Sequence, residues 1–135
     1  MTIRALLLAA TCIALVGCDL HKNVELSEHA VSVFHVKYTA ALLGEMYDDV
    51  AADLRSEQTR ADFAKAIGGI RDKLGPVRAT RRIGFQTTTG SGGALVEIEY
   101  ETEFERGVAT EEFRWEITNG HALLKSYQVT TQTLP

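Results

Sequence analysis

An α+β fold is predicted, with two or three N-terminal helices packed on a curved four-stranded antiparallel sheet. Three observations predict it. Apolar residues recur with a period near 3.6 as far as Leu74, and from Val77 to the end of the chain the period is 2. Three turn signals, Gly90-Ser91-Gly92-Gly93, Arg106-Gly107 and Asn119-Gly120, then divide the second half into four strands of similar length.

Ahead of the helices, Arg4 is followed by an apolar run from Ala5 to Leu15. The run is too short to cross a hydrocarbon core of about 30 Å, but long enough for the centre of an export signal. It ends in Leu15-Val16-Gly17-Cys18. A small residue before a cysteine in this position resembles the lipobox of bacterial lipoproteins. That resemblance implies a signal peptide over residues 1–17 and a lipidated Cys18 as the mature N-terminus, tied to the cell-envelope membrane and facing the periplasm. Asp19 resembles the residue that keeps lipoproteins in the inner membrane under enterobacterial sorting rules. One acyl chain holds a protein only marginally, and the two or three chains of this family hold it stably. Residues 18–26 are expected to be the lipidated cysteine and a polar tether whose residues 19–26 span at most about 27 Å when extended. A single domain, residues 27–135, then sits close to the membrane surface.

The chain carries 14 Lys+Arg against 18 Asp+Glu, a formal net charge of −4, and residues 1–17 contribute only Arg4 to that balance. An acidic balance argues against nucleic acid as a partner and against charge-driven attachment to anionic lipid. Of the two cysteines, Cys12 lies in the signal and Cys18 at the lipidation position, so the domain is expected to hold by packing without a disulfide.

Ser27 is expected to cap a first helix, in which Ala30, Val33, Phe34, Tyr38 and Ala41 recur at helical spacing. Leu43, Met46, Tyr47, Val50 and Leu54 continue the pattern over residues 42–54, with a bend expected near Gly44. Thr59 with Asp62 has the cap-x-x-acid form of a helix start. Phe63, Ala66, Ile67, Ile70 and Leu74 form the apolar stripe of that helix, and Gly75-Pro76 ends it.

The strands are expected over residues 77–88, 94–105, 108–118 and 121–133. In the second, Val96, Ile98, Tyr100 and Phe104 alternate with glutamates from Glu97 to Glu105, which gives one dry and one wet face. A turn at Arg106-Gly107 sets Tyr100 opposite Phe113, Ile98 opposite Trp115 and Val96 opposite Ile117. The same counting pairs Glu99 with Arg114, Glu101 with Arg82 and Glu105 with Arg78 on the wet face. Leu124 and Tyr127 are three apart, so a β-bulge is expected near Lys125-Ser126 to bring both to the dry face.

Several local patterns then resemble a known group: Phe34-His35, Met46-Tyr47, Leu54-Arg55, Thr59 with Phe63, and Lys73-Leu74-Gly75, followed by a Glu-rich strand ending at Phe104. Together they are similar to small bacterial lipoprotein families of unknown function with a cystatin-like or nuclear-transport-factor-2-like fold, in which helices cover the concave face of a cone. The resemblance spans nearly all of residues 27–133. Its motifs are packing and capping signals, so it implies a fold and no chemistry. Ala41 and Ala122 depart from it, standing where glycine and an aromatic residue such as tryptophan are expected.

The expected function is that of a non-catalytic periplasmic module engaging a protein partner or a small apolar ligand. Phe85, Ile98, Tyr100, Phe113, Trp115 and Tyr127 would line its pocket or form its core. The alternative is a small isomerase- or hydratase-like enzyme. His35 and Tyr38, three apart on the first helix, share a face, and an imidazole beside a phenol can move a proton at neutral pH. Asp49 and Asp53 offer too few oxygens for a hard cation, and His21, His29, His35 and His121 lack zinc spacing, so no metal and no cofactor is expected. Strand parity places Arg81 on the dry face, from which it would reach the rim of the sheet or meet an anionic group inside. The Gly90–Gly93 loop leads into no helix and lacks Gly-Lys-Ser/Thr, so it reads as a hairpin tip rather than a phosphate cradle.

Overall fold

The computed structural model describes residues 14–132. The expected signal segment up to Ile13, the Cys18 side chain and the end of the expected fourth strand at Thr133 lie outside the described residues.

Val24, Ser27, Val31, Phe34 and Tyr38 stand three and four residues apart on one side of helix α1 (Ala14–Thr39), and all five are buried. This stripe begins before Ser27, and so does the helix. Ser27 lies inside it and donates its hydroxyl to the carbonyl of Asn23 at 2.9 Å instead of capping an end. Residues 19–26, expected as a tether, are therefore helical and span about 12 Å.

The chain breaks after Thr39 rather than at Gly44, with Ala41 at φ 61. Glycine tolerates that left-handed conformation and alanine is strained in it. The expected second helix is then cut in two, α2 (Leu43–Met46) running into a 3₁₀ turn (Tyr47–Asp49), and α3 (Ala52–Glu57). A sheet contact makes the cut. Val50 bridges Leu124 in parallel, and the Ala51 N–H donates to the Leu124 carbonyl at 2.9 Å. Arg55 closes the loop so formed, donating to the carbonyls of Val50, Tyr47 and Asp48 at 2.9 to 3.0 Å. Helix α4 (Arg60–Leu74) matches its sequence signals: Thr59 Oγ1 accepts the Asp62 N–H at 3.2 Å, and Gly75 ends the helix at φ 78.

The four strands, β1 (Val77–Gly90), β2 (Gly93–Phe104), β3 (Gly107–Thr118) and β4 (His121–Thr131), form an open antiparallel meander in chain order. The fold is the α+β architecture the sequence predicts. Alternation along β2 and β3 sends Val96, Ile98, Tyr100, Phe104, Phe113, Trp115 and Ile117 into one core with Phe34 and Tyr38 of α1 and Phe63, Ile67 and Leu74 of α4.

Register differs from expectation in two places, each with a physical cause. The β2–β3 turn is Glu105-Arg106, because Phe104 pairs with Gly107, so every partner shifts by two: Ile98 faces Phe113, Val96 faces Trp115 and Tyr100 faces Glu111. The end of α4 holds the turn there. The Glu105 N–H donates to the Pro76 carbonyl and the Arg106 N–H to the Leu74 carbonyl, both at 2.9 Å. On the wet face Arg114 consequently pairs with Glu97 at 3.0 Å, and Glu99 faces Glu112. In β1 the counting from the Gly90–Gly93 turn holds as far as Gly84, and a bulge at Ile83 then shifts it by one. Arg81, not Arg82, thus pairs with Glu101 at 3.0 Å, while Arg78 meets Glu105 at 3.1 Å as expected. The bulge in β4 falls at Lys125, where the sequence places it, and lets both Leu124 and Tyr127 face the core.

Candidate functional site

Parity decides the site. Phe113, Trp115 and Ile117 face the core, so Glu111, two residues before Phe113, faces it too. It is 0 % exposed. A carboxylate taken from water needs donors, and three side chains supply them. Tyr127 donates its hydroxyl to Oε2 at 2.6 Å, Thr102 donates to Oε1, and His35 Nε2 lies 2.8 Å from Oε1. Each donor comes from a different element, β4, β2 and α1, so this cluster ties the helix to three strands. Phe113, centred 5.8 Å from the His35 ring and 5.0 Å from the Tyr127 ring, packs against both. Burial, then the Glu111 charge and its hydrogen bond, push the Tyr127 hydroxyl far above its usual range. It stays a donor at any physiological pH.

The structure separates the expected His35–Tyr38 pair. His35 engages Glu111, whereas the Tyr38 hydroxyl donates to the Gly75 carbonyl at 2.9 Å, at the end of α4. Burial first, and Glu111 second, push the Tyr38 phenol up to about 12. Of the six expected pocket or core residues, Ile98, Tyr100, Phe113 and Trp115 are buried in the core, and Tyr127 is half-buried against it. Phe85 is half exposed, under the Arg82 guanidinium at 4.9 Å and in a surface hollow with Leu20 and Val24 of α1. Arg81 stands on the wet face, because the bulge at Ile83 reverses the parity that put it on the dry one; Arg82 turns to the helix side and pairs with Glu28. Asp49 and Asp53 do not share a helical face, since Val50 and Ala51 are extended between them. Lys37 binds Asp49 at 2.8 Å, and Lys125 binds Asp53 at 3.2 Å.

Sequence reasoning missed Glu111, although the alternation of β3 pointed to it. It also missed a hollow beside Trp115. This cavity of about 240 Å³ lies between α1, the Met46–Asp49 segment and the β3–β4 hairpin, and it brings His29 and His121 together from opposite ends of the chain. Trp115 lines it, 2 % exposed, and its buried indole Nε1–H has no hydrogen-bond partner among the described residues. An orphaned buried donor of this kind costs about 1–3 kcal/mol. A second, more open groove of about 640 Å³ runs between α1 and β1, bordered by His35 and Tyr100.

Among the described residues no three His, Cys, Asp or Glu side chains converge as metal ligands, and no helix is long and apolar enough to cross a membrane. Chemically, the Glu111 cluster can hold four elements in register through its hydrogen bonds. The Trp115 cavity can take a small guest. Comparison of the chain with protein-family models and with curated protein sequences gives no match.

Proposed function

We propose that the chain is a lipid-anchored, non-catalytic binding or assembly module of the bacterial cell envelope, attached through Cys18 and facing the periplasm. The observation that carries this reading is the continuity of α1. Residues directly after Cys18 are already helical and reach the core at Val24, so the anchor and the domain share one rigid element. The same end of the molecule exposes Leu20 and Phe85, 43 % and 50 % accessible, around one surface hollow. Leu20 lies two residues from an acylated cysteine, and with Phe85 it stands among His21, Glu25, Glu28 and Arg82, a mixed surface that suits the polar boundary of a membrane. Saturation of Glu111 by donors of the fold itself supports a structural role for this acid, the one buried carboxyl among the described residues. Binding then falls to the open hollows, which suit a small apolar ligand or a protein segment. Under enterobacterial sorting rules Asp19 would retain the module in the inner membrane.

Mass spectrometry of the full chain expressed in a bacterial host tests this reading. The expected product begins at Cys18, carries acyl chains and partitions with membranes, and Cys18→Ser moves the protein to the soluble fraction. An unmodified Cys18, or a Cys18→Ser protein that stays with the membrane, overturns it.

A further inference from the structure

We propose that the outer edge of β4 is an interface between two copies of this chain, which pair antiparallel over Tyr127–Thr131 about a two-fold axis at Val129. The proposal gives the assembly half of the module reading a partner, and it stands whether or not Cys18 is acylated.

Hydrogen-bond parity shows what this edge offers. The Gln132 N–H donates to the Val108 carbonyl at 3.2 Å, and the register sets Thr130 opposite Thr110 and Gln128 opposite Glu112. Bonding alternates along an antiparallel pair, so Gln128, Thr130 and Gln132 turn their backbone groups toward β3, whereas Tyr127, Val129 and Thr131 turn theirs outward. Among the described residues no strand of the sheet lies beyond β4, and no backbone or side-chain group bonds to those outward N–H and C=O groups. Val50 bridges the edge at Leu124, short of this stretch. The shift in β3–β4 register also falls before it, so Tyr127–Thr131 is an unbroken template.

Composition leaves that template undefended. Ser126 to Gln132 contains no charged residue and no proline, and Val129, Thr130 and Thr131 are β-branched. Charge is an ordinary protection of a sheet edge, and β1 at the opposite side of the sheet carries Arg78, Arg81 and Arg82.

The partner follows from symmetry. A two-fold axis at Val129 sets Val129 opposite its own copy, and Tyr127 of each chain opposite Thr131 of the other. All three residues carry outward groups, so every one of those groups finds a partner in this register. Each chain has a formal charge of −4, and an uncharged seam lets two of them meet without like charges directly opposed. A contact of this kind uses the same surface on both copies and closes on itself. Joined at β4, the two sheets form one continuous sheet bounded on both sides by the arginine-bearing β1, so assembly stops at the dimer.

Sedimentation equilibrium of the full chain carrying Cys18→Ser, at concentrations up to millimolar and under reducing conditions that keep Cys12 from linking copies, tests the pairing. The expected result is a monomer–dimer equilibrium with no larger species. Val129→Pro removes an outward N–H that the β3 ladder does not use, and it is expected to weaken the dimer by about tenfold or more, because each copy loses a bond. Thr131→Lys places a charge at the seam and is expected to leave the protein monomeric, which keeps the test decisive if the proline disturbs folding. Amide exchange in the unsubstituted edge is expected to slow at Tyr127, Val129 and Thr131 as the dimer forms, with β1 unchanged. A chain that stays monomeric throughout, which would leave the edge to a strand of another protein, overturns the proposal. So does growth beyond the dimer, a dimer that both variants leave intact, or protection that appears at β1 instead. Acylation of Cys18 is read separately by mass spectrometry, so failure here leaves the anchoring reading standing or falling on its own result.

Discussion

Glu111 is the residue on which the interior most depends. Its carboxylate is fully buried and receives Tyr127, Thr102 and His35. Removing one member of such a set leaves the others unsatisfied in a medium where that is expensive. Glu111→Ala is expected to destabilise by about 3–5 kcal/mol in urea unfolding, the range for breaking a buried charged network. A double-mutant cycle between His35→Gln and Glu111→Gln should show a coupling of about 1 kcal/mol or more; additive single effects would mean that the two side chains do not act together. This residue was legible in the sequence through parity alone, as the second residue before Phe113 on a face that also carries Trp115 and Ile117. Composition hid it, because a glutamate followed by another glutamate in a charged strand reads as solvent-facing. The Trp115 cavity was not legible, since it depends on α1, the Met46–Asp49 segment and a hairpin some 80 residues later coming together.

Among the elements, the α4 terminus and the β2–β3 hairpin are coupled through Arg106. Its guanidinium donates to the carbonyls of Asp72 and Lys73, which the helix end leaves without backbone partners, and to that of Arg71, which also accepts the Gly75 N–H. Arg106→Ala is expected to cost about 1 kcal/mol in thermal or urea unfolding, half-exposed charged bonds being discounted for solvent. It is also expected to raise amide exchange in the last turn of α4 ahead of the rest of that helix, and uniform exchange along α4 would count against the capping role. This contact explains why turn counting placed the hairpin one residue late. A tertiary bond chose between two adjacent two-residue turns, and no local signal records that choice. The error of two positions left every side chain on its predicted face, so the core residues of β2 and β3 were identified correctly from a wrong register. The bulge at Lys125 was visible because it rescues two large apolar residues, Leu124 and Tyr127. The bulge at Ile83 was invisible because Val77, Ala79, Ile83 and Phe85 keep an even spacing in the sequence that only Arg81 breaks, and β1 is exposed along most of its length, so burial does not mark the change of face. Helix α1 was started too late for a related reason: Ser27 looks like a cap, and only the earlier Val24 shows that the stripe had already begun.

For the molecule as a whole, buried phenols set the alkaline limit. Tyr38 and Tyr100 are pushed up to about 12, chiefly by burial, from an ordinary value of 10.0. Between those values the folded protein keeps protons that the unfolded chain has released. Stability is therefore fully present below about pH 10 and falls as pH rises toward about 12, by up to about 1.4 kcal/mol per pH unit for each phenol. Urea unfolding at a series of pH values should give a plateau ending near pH 10, and Tyr38→Phe should soften the decline; a profile flat to about pH 12 would contradict buried phenols at these positions. Beyond this window, the two kinks of β1 have a consequence for crowding. β1 ends the sheet, and among the described residues no strand pairs with its outer side. A straight 14-residue edge would be a template on which neighbouring copies polymerise, above all if they were concentrated in two dimensions. Irregularities at Arg78 and Ile83 interrupt that edge, so a neighbouring copy cannot extend one regular ladder along its full length.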